Sequence, residues 1–144
     1  MSEQSYATHR RFVPGYHFVL LVLGLLTLVG SIYNLYRAIG RGNGRGEAIL
    51  VLLLAVCLAM AAYYLRMFAL KAQDRAIRAE ENLRHYLLYG SPLDARLDIR
   101  QIIGLRFAGD EEFGDLAKRA AEDGLSEDEI KKSVASWRGD FYRV

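Results

Sequence analysis

Hydrophobic positions along this chain fall into two unbroken blocks followed by a periodic one. From Tyr16 to Tyr36 no charged residue occurs across 21 positions. A second block opens at Ala48 and closes with Tyr63, Tyr64, Leu65 and Arg66. Apolar blocks of about 18 residues or more are long enough to cross a hydrocarbon core of ~30 Å as helices. The first ends in SIYNLYR, aromatic and polar residues suited to a membrane interface and unlike the small residues of a signal-peptide cleavage site. It is read as a retained span. The pattern predicts an all-α architecture: an N-terminal segment 1–15, then a two-helix transmembrane hairpin over 16–70. Its spans lie at about 16–36 and 48–66, joined by a glycine-rich loop, Arg37–Glu47.

Past the second block the helix signal continues while its polarity changes. Between Gly46 and Gly90 lie 43 residues without glycine or proline. A helix of that length reaches ~64 Å, about twice the hydrocarbon core, so its second half is expected to stand in water as a stalk over 71–90. Leu65, Ala69, Ala72, Ala76, Ala79, Leu83 and Tyr86 recur at alternating spacings of 4 and 3, a coiled-coil seam in which alanine permits close approach. Three fates are open for that seam: packing on the chain's own tail, packing on a second copy, or lying on anionic lipid. Asp74, Glu80 and Glu81 count against lipid. Asp74–Arg78 and Glu80–Arg84 have the acid-first spacing of surface pairs.

Ser91-Pro92 ends the stalk, because proline cannot continue a helix and disfavours helix at the residue before it. Residues 91–144 carry signals for a C-terminal helical domain of three short helices. The first is capped by Asp98 with Gln101 at its third position, and the second starts at Asp110 and stops before Gly124. The third opens on the capping box of Ser126 and Glu129, with Leu125 stapling onto Ile130, and is expected to end at Gly139. Phe107, Phe113, Leu116, Ala120, Leu125, Ile130, Val134 and Trp137 are the expected core.

Charge is segregated along the chain. Residues 1–70 hold six Lys/Arg against two acids, a net of +4, and residues 71–144 hold thirteen against fifteen, a net of −2. The pI of about 8.7 therefore belongs to the membrane half, and no basic face for nucleic acid is expected. The single cysteine, Cys57, excludes an internal disulfide. Arg10, Arg11, Arg66, Lys71, Arg75, Arg78 and Arg84 flank the terminal side of the hairpin, against Arg37, Arg41 and Arg45 in the loop. That balance predicts both termini in the cytoplasm.

Candidate chemistry is sparse. In the first span His17, Leu20, Gly24, Thr27, Ser31 and Asn34 share one face. Such a face serves either contact with the second span or another copy, or the lining of a pore. No acid lies mid-span, which argues against proton or metal transport. Arg66, at the end of the second span, is placed to snorkel to phosphates or to pair with a carboxylate. His9, His17 and His85 form no pair at ligand spacing, and Glu81 with His85 reads as a surface pair. GRGNGRG lacks the strand–turn–helix context of a phosphate loop, and neither a serine elbow nor a reactive thiol occurs. The acids at 110–112 suit a helix start. No catalytic residue, metal or cofactor is expected.

Four segments together carry a resemblance: YATHRRFVPGYHF, ALKAQDRAIRAEENLRHYLLYGSPLD, QIIGLRFAGDEEF and LSEDEIKKSVASWRGDFYRV. With them the chain resembles, over nearly its whole length, a family of small two-span bacterial membrane proteins classified only as a domain of unknown function. The resemblance implies a bacterial inner-membrane protein of this architecture, and no activity or catalytic residue. The hairpin loop is that family's least similar part, so Arg41–Gly46 is the last place to expect a site.

The expected function is non-enzymatic: a self-associating integral membrane scaffold or regulatory subunit, forming a homo-oligomer in lipid and offering its C-terminal domain to a protein partner. The alternative is a small oligomeric channel with the first span lining the pore.

Overall fold

The computed structural model describes Tyr6 and residues 13–140. Among these residues the secondary structure is helical, apart from a single antiparallel bridge between Ala108 and Trp137. A π-helical turn, Gly15–Leu20, leads directly into α1, Leu21–Arg41. It is followed by α2, Arg45–Tyr89, then α3, Ile99–Leu105, α4, Asp110–Asp123, and α5, Glu127–Ser133. The chain divides into two compact units, Arg11–Phe68 and Ala69–Val144, the latter joined by Met1–Arg10. Helix α2 contributes residues to both.

The first unit is a helical hairpin. Ser31 and Ala38 of α1 and Ala48 and Ala55 of α2 are buried, with Leu28, Leu35, Leu52 and Ala62 half-buried beside them. The covered positions recur at spacings of 3, 4 and 3 on α1 and 4, 3 and 7 on α2, and the small Ser31, Ala38, Ala48 and Ala55 among them let the two backbones approach. Nearly all other apolar groups face outward: Leu21 is 65% exposed, Leu26 62%, Leu50 67% and Leu54 61%. An exposed apolar surface of this extent is rare on soluble monomers and marks contact with a membrane or with another protein surface. Gly15–Arg41 and Arg45–Tyr89 are both long and apolar enough to cross a membrane. The connection is shorter than the apolar pattern predicts. Nothing between Arg37 and Arg41 breaks a helix, so α1 runs on to Gly42, whose left-handed φ of 81° ends it. Gly44, at φ 71°, completes a three-residue turn, and α2 begins at Arg45.

In the second unit α3, α4 and α5 pack on one another, and α4 with the segments flanking α3 meets the far part of α2. The core holds Leu105, Phe107, Phe113 and Ile130, all fully buried, with Leu116, Ala120 and Val134 close behind. Leu125 and Trp137 are partly buried against it, so the sequence pattern identified this core correctly. Ile77 of α2 joins the cluster, so the tail does not close on itself. Both capping boxes form: Asp98 Oδ1 accepts from Gln101 N at 2.7 Å, and Ser126 Oγ accepts from Glu129 N at 3.3 Å. The Gln101 amide, buried beneath α4, donates to the Ala120 and Leu125 carbonyls at 2.9 Å each. That satisfies helix-end acceptors that would otherwise be stranded.

The last helix is shorter than expected. α5 ends at Ser133, not near Gly139, because Val134 turns to extended backbone (φ −69°, ψ 119°). From there Gly109 N donates to Ser136 O and Arg138 N to Phe107 O, both at 2.8 Å. Glu112 holds the same segment: its carboxylate accepts from Ala135 N at 3.0 Å and Ser136 N at 2.9 Å. These bonds replace the helical ladder.

Helix α4 meets the end of α2 at Gly114. Tyr89 Oη accepts from Gly114 N and donates to Asp110 O, each at 3.0 Å. A Cβ at position 114 would sit 2.7 Å from the Tyr89 ring. Gly114→Ala should therefore push the ring off α4 and cost ~1–3 kcal/mol of tail stability, as overpacking does. Ile130→Ala, which empties a fully buried site, should cost ~2–5 kcal/mol. Hydrogen exchange of the α3–α5 amides in the full-length chain measures both, and protection unchanged in either variant would contradict this packing.

Candidate functional site

Arg84 decides how the tail meets α2. Its guanidinium donates through Nη1 to Glu81 at 2.9 Å. Nε and Nη2 reach Asp110 Oδ1 at 2.8 and 2.6 Å, and Nη2 also donates to Ala108 O at 2.7 Å. Its plane lies 4.2 Å from the centre of the Phe113 ring. One planar guanidinium thus joins α2 to the start of α4, with two nitrogens converging on a single carboxylate oxygen while the group lies over a ring, a geometry that arginine supplies and lysine does not. Glu81 is buried, and Arg138 approaches its other oxygen at 3.6 Å.

This arrangement corrects three pairings expected from spacing. Arg84 pairs with Glu81 and Asp110, not with Glu80. His85 does not pair with Glu81: its Nδ1 lies 2.6 Å from Ser91 O and its ring packs on Tyr89 and Phe113. Arg78 turns from Asp74 to the Leu97 carbonyl, at 3.4 Å. In each case a tertiary partner on the tail outweighs the expected neighbour on the same helix. Spacing alone carries no trace of Asp110, 26 residues away.

The seam residues occupy the opposite face. Leu65, Ala69, Ala72, Ala76, Ala79, Leu83 and Tyr86 are all exposed, Leu65 by 70%, Leu83 by 59% and Tyr86 by 57%. The tail covers Ile77, Glu81 and Arg84 instead. In heptad terms the seam holds positions a and d, while the tail sits on b, c and f and reaches g at Asn82 and Tyr89. The reading in which the seam packs on its own tail is therefore wrong. Its cause is visible: the tail seeks the one face that carries Ile77 together with Glu81 and Arg84.

The polar face of α1 is only partly used by the hairpin. Ser31 is buried against α2, whereas Gly24, Thr27 and Asn34 stay exposed and His17 is half-buried. A Cβ on Gly24 would meet nothing within 4 Å, so this glycine does not serve contact with α2. Thr27 Oγ1 donates to Leu23 O and Ser31 Oγ to Leu28 O, both at 2.8 Å. These hydroxyls are satisfied by their own helix rather than across an interface. At the open end of the hairpin Tyr16 Oη donates to Ala62 O at 3.1 Å, and Arg66 lies 5.6 Å from the Tyr16 ring centre. Among the described residues Arg66 pairs with no carboxylate, and its partner is aromatic.

One contact has no signal in the sequence pattern. Tyr6 Oη donates to Asp128 Oδ1 at 2.5 Å, and Lys132 bonds the same carboxylate at 2.6 Å while lying 5.6 Å from the Tyr6 ring centre. Lys132 and then Tyr6 hold the Asp128 carboxyl below its ordinary range. His9 lies outside the described residues. Among the described residues no three His, Cys, Asp or Glu side chains cluster as a metal site would require.

Compared with known proteins, residues 1–144 match a family described as "Family of unknown function (DUF6526)". No curated protein and no solved structure matches the chain.

Burial holds the Glu81 carboxyl above its ordinary value, against the opposing pull of Arg84 and Arg138. The folded chain therefore binds this proton more tightly than the unfolded chain. Its contribution to stability is complete below the ordinary glutamate range and is lost as pH rises through the raised value. Glu81→Gln should remove that loss, which appears as a flatter stability profile above about pH 4.5 than the parent's. Arg84→Leu leaves Glu81 buried without its close partner and should cost about 3 kcal/mol at neutral pH. Urea unfolding followed by Trp137 fluorescence reads both. An Arg84→Leu variant as stable as the parent would remove the clamp from this account.

Proposed function

We propose that this chain, which belongs to that family of unknown function, is a non-enzymatic, self-associating membrane scaffold or regulatory subunit. In this reading α1 and the first part of α2 span a bacterial inner membrane, with both termini in the cytoplasm. The observation that carries it is the uncovered seam on α2. The tail packs on this helix along more than two turns, yet it leaves free the face whose heptad spacing suits another helix. A solvated helix has no use for Leu83 and Tyr86 on one exposed line; a helix that meets a second copy does.

Support for the membrane placement comes from the outward-facing apolar surface of the hairpin and from the basic residues flanking its open end. Mass measurement by multi-angle light scattering on full-length protein in lipid nanodiscs or mild detergent tests the proposal. At least twice the chain mass of 16.3 kDa is expected, and a monomer at all concentrations would overturn it.

A second reading, a small oligomeric channel, is favoured by one observation: Gly24, Thr27 and Asn34 remain uncovered on α1. Asn34→Leu separates the two. A pore lined by this face should lose liposome ion flux on that substitution, whereas a scaffold shows no flux before or after it and keeps its oligomeric mass.

A further inference from the structure

We propose that the partner of the α2 seam is the same seam on a second copy, running parallel and in register as a two-stranded coiled coil. Reciprocal Arg75–Glu80 ion pairs between the copies fix that register. The proposal rests on the self-association reading above and adds the surface, the direction and the stoichiometry.

The direction follows from the membrane. Copies inserted with one topology carry α2 in the same sense, so two seams that meet do so in parallel. The charges agree with that direction. With Leu65, Ala72, Ala79 and Tyr86 as d positions and Ala69, Ala76 and Leu83 as a positions, Arg75 occupies g and Glu80 the following e. In a parallel coil the g side chain of one helix faces the next e of its partner, so each Arg75 meets Glu80 of the second copy, twice per dimer. Both side chains are exposed, and among the described residues neither has an ion-pair partner within the chain. Glu80 lacks one because Arg84, its expected i+4 partner, is drawn to Glu81 and Asp110. Arg75 has no acid three or four residues away on α2. The fold has thus left one cation and one anion at the two positions where a parallel partner would use them.

The stoichiometry follows from the flank. Asn82, the next g position, is half-buried with its Oδ1 accepting from Leu93 N at 3.2 Å, so the tail closes that side of the seam. Trimers and larger bundles bury e and g together with a and d, and the tail obstructs that. One partner helix on the a/d face is what fits. Alanine at four of seven seam positions lets the two axes approach to about 8 Å, the near end of helix spacings.

The test uses the full-length chain in native membranes. Single-cysteine variants Ala72→Cys, Ala76→Cys and Ala79→Cys are made in a Cys57→Ser background, each at an exposed site where the chain's own packing is undisturbed. Each should form a disulfide-linked dimer on mild oxidation, while Lys118→Cys on α4 should not. Arg75→Glu should reduce the crosslinked fraction of Ala76→Cys about fivefold at low salt, since two exposed attractions become repulsions. The double exchange Arg75→Glu with Glu80→Arg should restore it. Crosslinking only between mixed Ala69→Cys and Leu83→Cys chains would mean an antiparallel pair and would overturn the proposal. An oligomer by light scattering whose seam cysteines stay uncrosslinked would also overturn it, while leaving the scaffold reading intact. A monomer would remove both. Failure of the double exchange to restore crosslinking would remove the register.

Discussion

The bond network around Arg84 determines which side of α2 the tail occupies, and nearly every other property of the second unit follows. Taking a guanidinium and the Glu81 carboxylate out of water is costly, and a lone ion pair seldom offsets it. Here the offset comes from number and shape. Arg84 serves two carboxylates and a carbonyl through its planar fork, and stacks on Phe113. Burial still wins at Glu81, whose carboxyl stays above its ordinary range. An interaction of this kind is better at choosing one arrangement than at deepening it. Rotating the tail to another face of α2 would strand Glu81 and Arg84 together. The apolar contacts alone, with Ile77 as the α2 contribution to the core, would discriminate far less.

The hairpin follows a different packing rule. Its helices leave their bulky aliphatic groups outward and meet through alanine and serine, the packing that works where lipid tails are as apolar as leucine. Its polar groups are handled locally: Thr27 and Ser31 return their hydroxyl protons to their own backbone, and Tyr16 caps a carbonyl of α2. Every such bond removes a reason for water to enter. The two halves of α2 thus follow opposite rules within one uninterrupted ladder. Absence of glycine and proline from 47 to 89 makes this continuity possible, and it is a property of composition rather than of packing.

Much of this was legible in the chain because it is written in local terms. Two apolar blocks, the capping boxes at Asp98 and Ser126, the stop at Gly124 and the core residues of the tail all depend on neighbours a few positions away. What the pattern missed depends on distant partners. The rotation of the tail about α2 needed Asp110 and Ala108. The early end of α5 needed the Phe107 carbonyl and the Glu112 carboxylate to receive an extended segment. The apolar pattern marks out too long a loop because apolar residues stop before the helix does, at a point where charged side chains are compatible with helical backbone. The seam is a periodicity, and periodicity does not say what covers a face.

The contact between Tyr6 and Asp128 joins residues 122 positions apart. The closure cost of such a span grows only with the logarithm of its length, but the contact has nothing to close upon until α5 has been synthesised. Tyr6 is made before either helix of the hairpin, so its hydroxyl has no carboxylate to meet until Asp128 has been synthesised. That bond works as a witness to α5: a chain truncated before this helix can fold its hairpin, yet never acquires it.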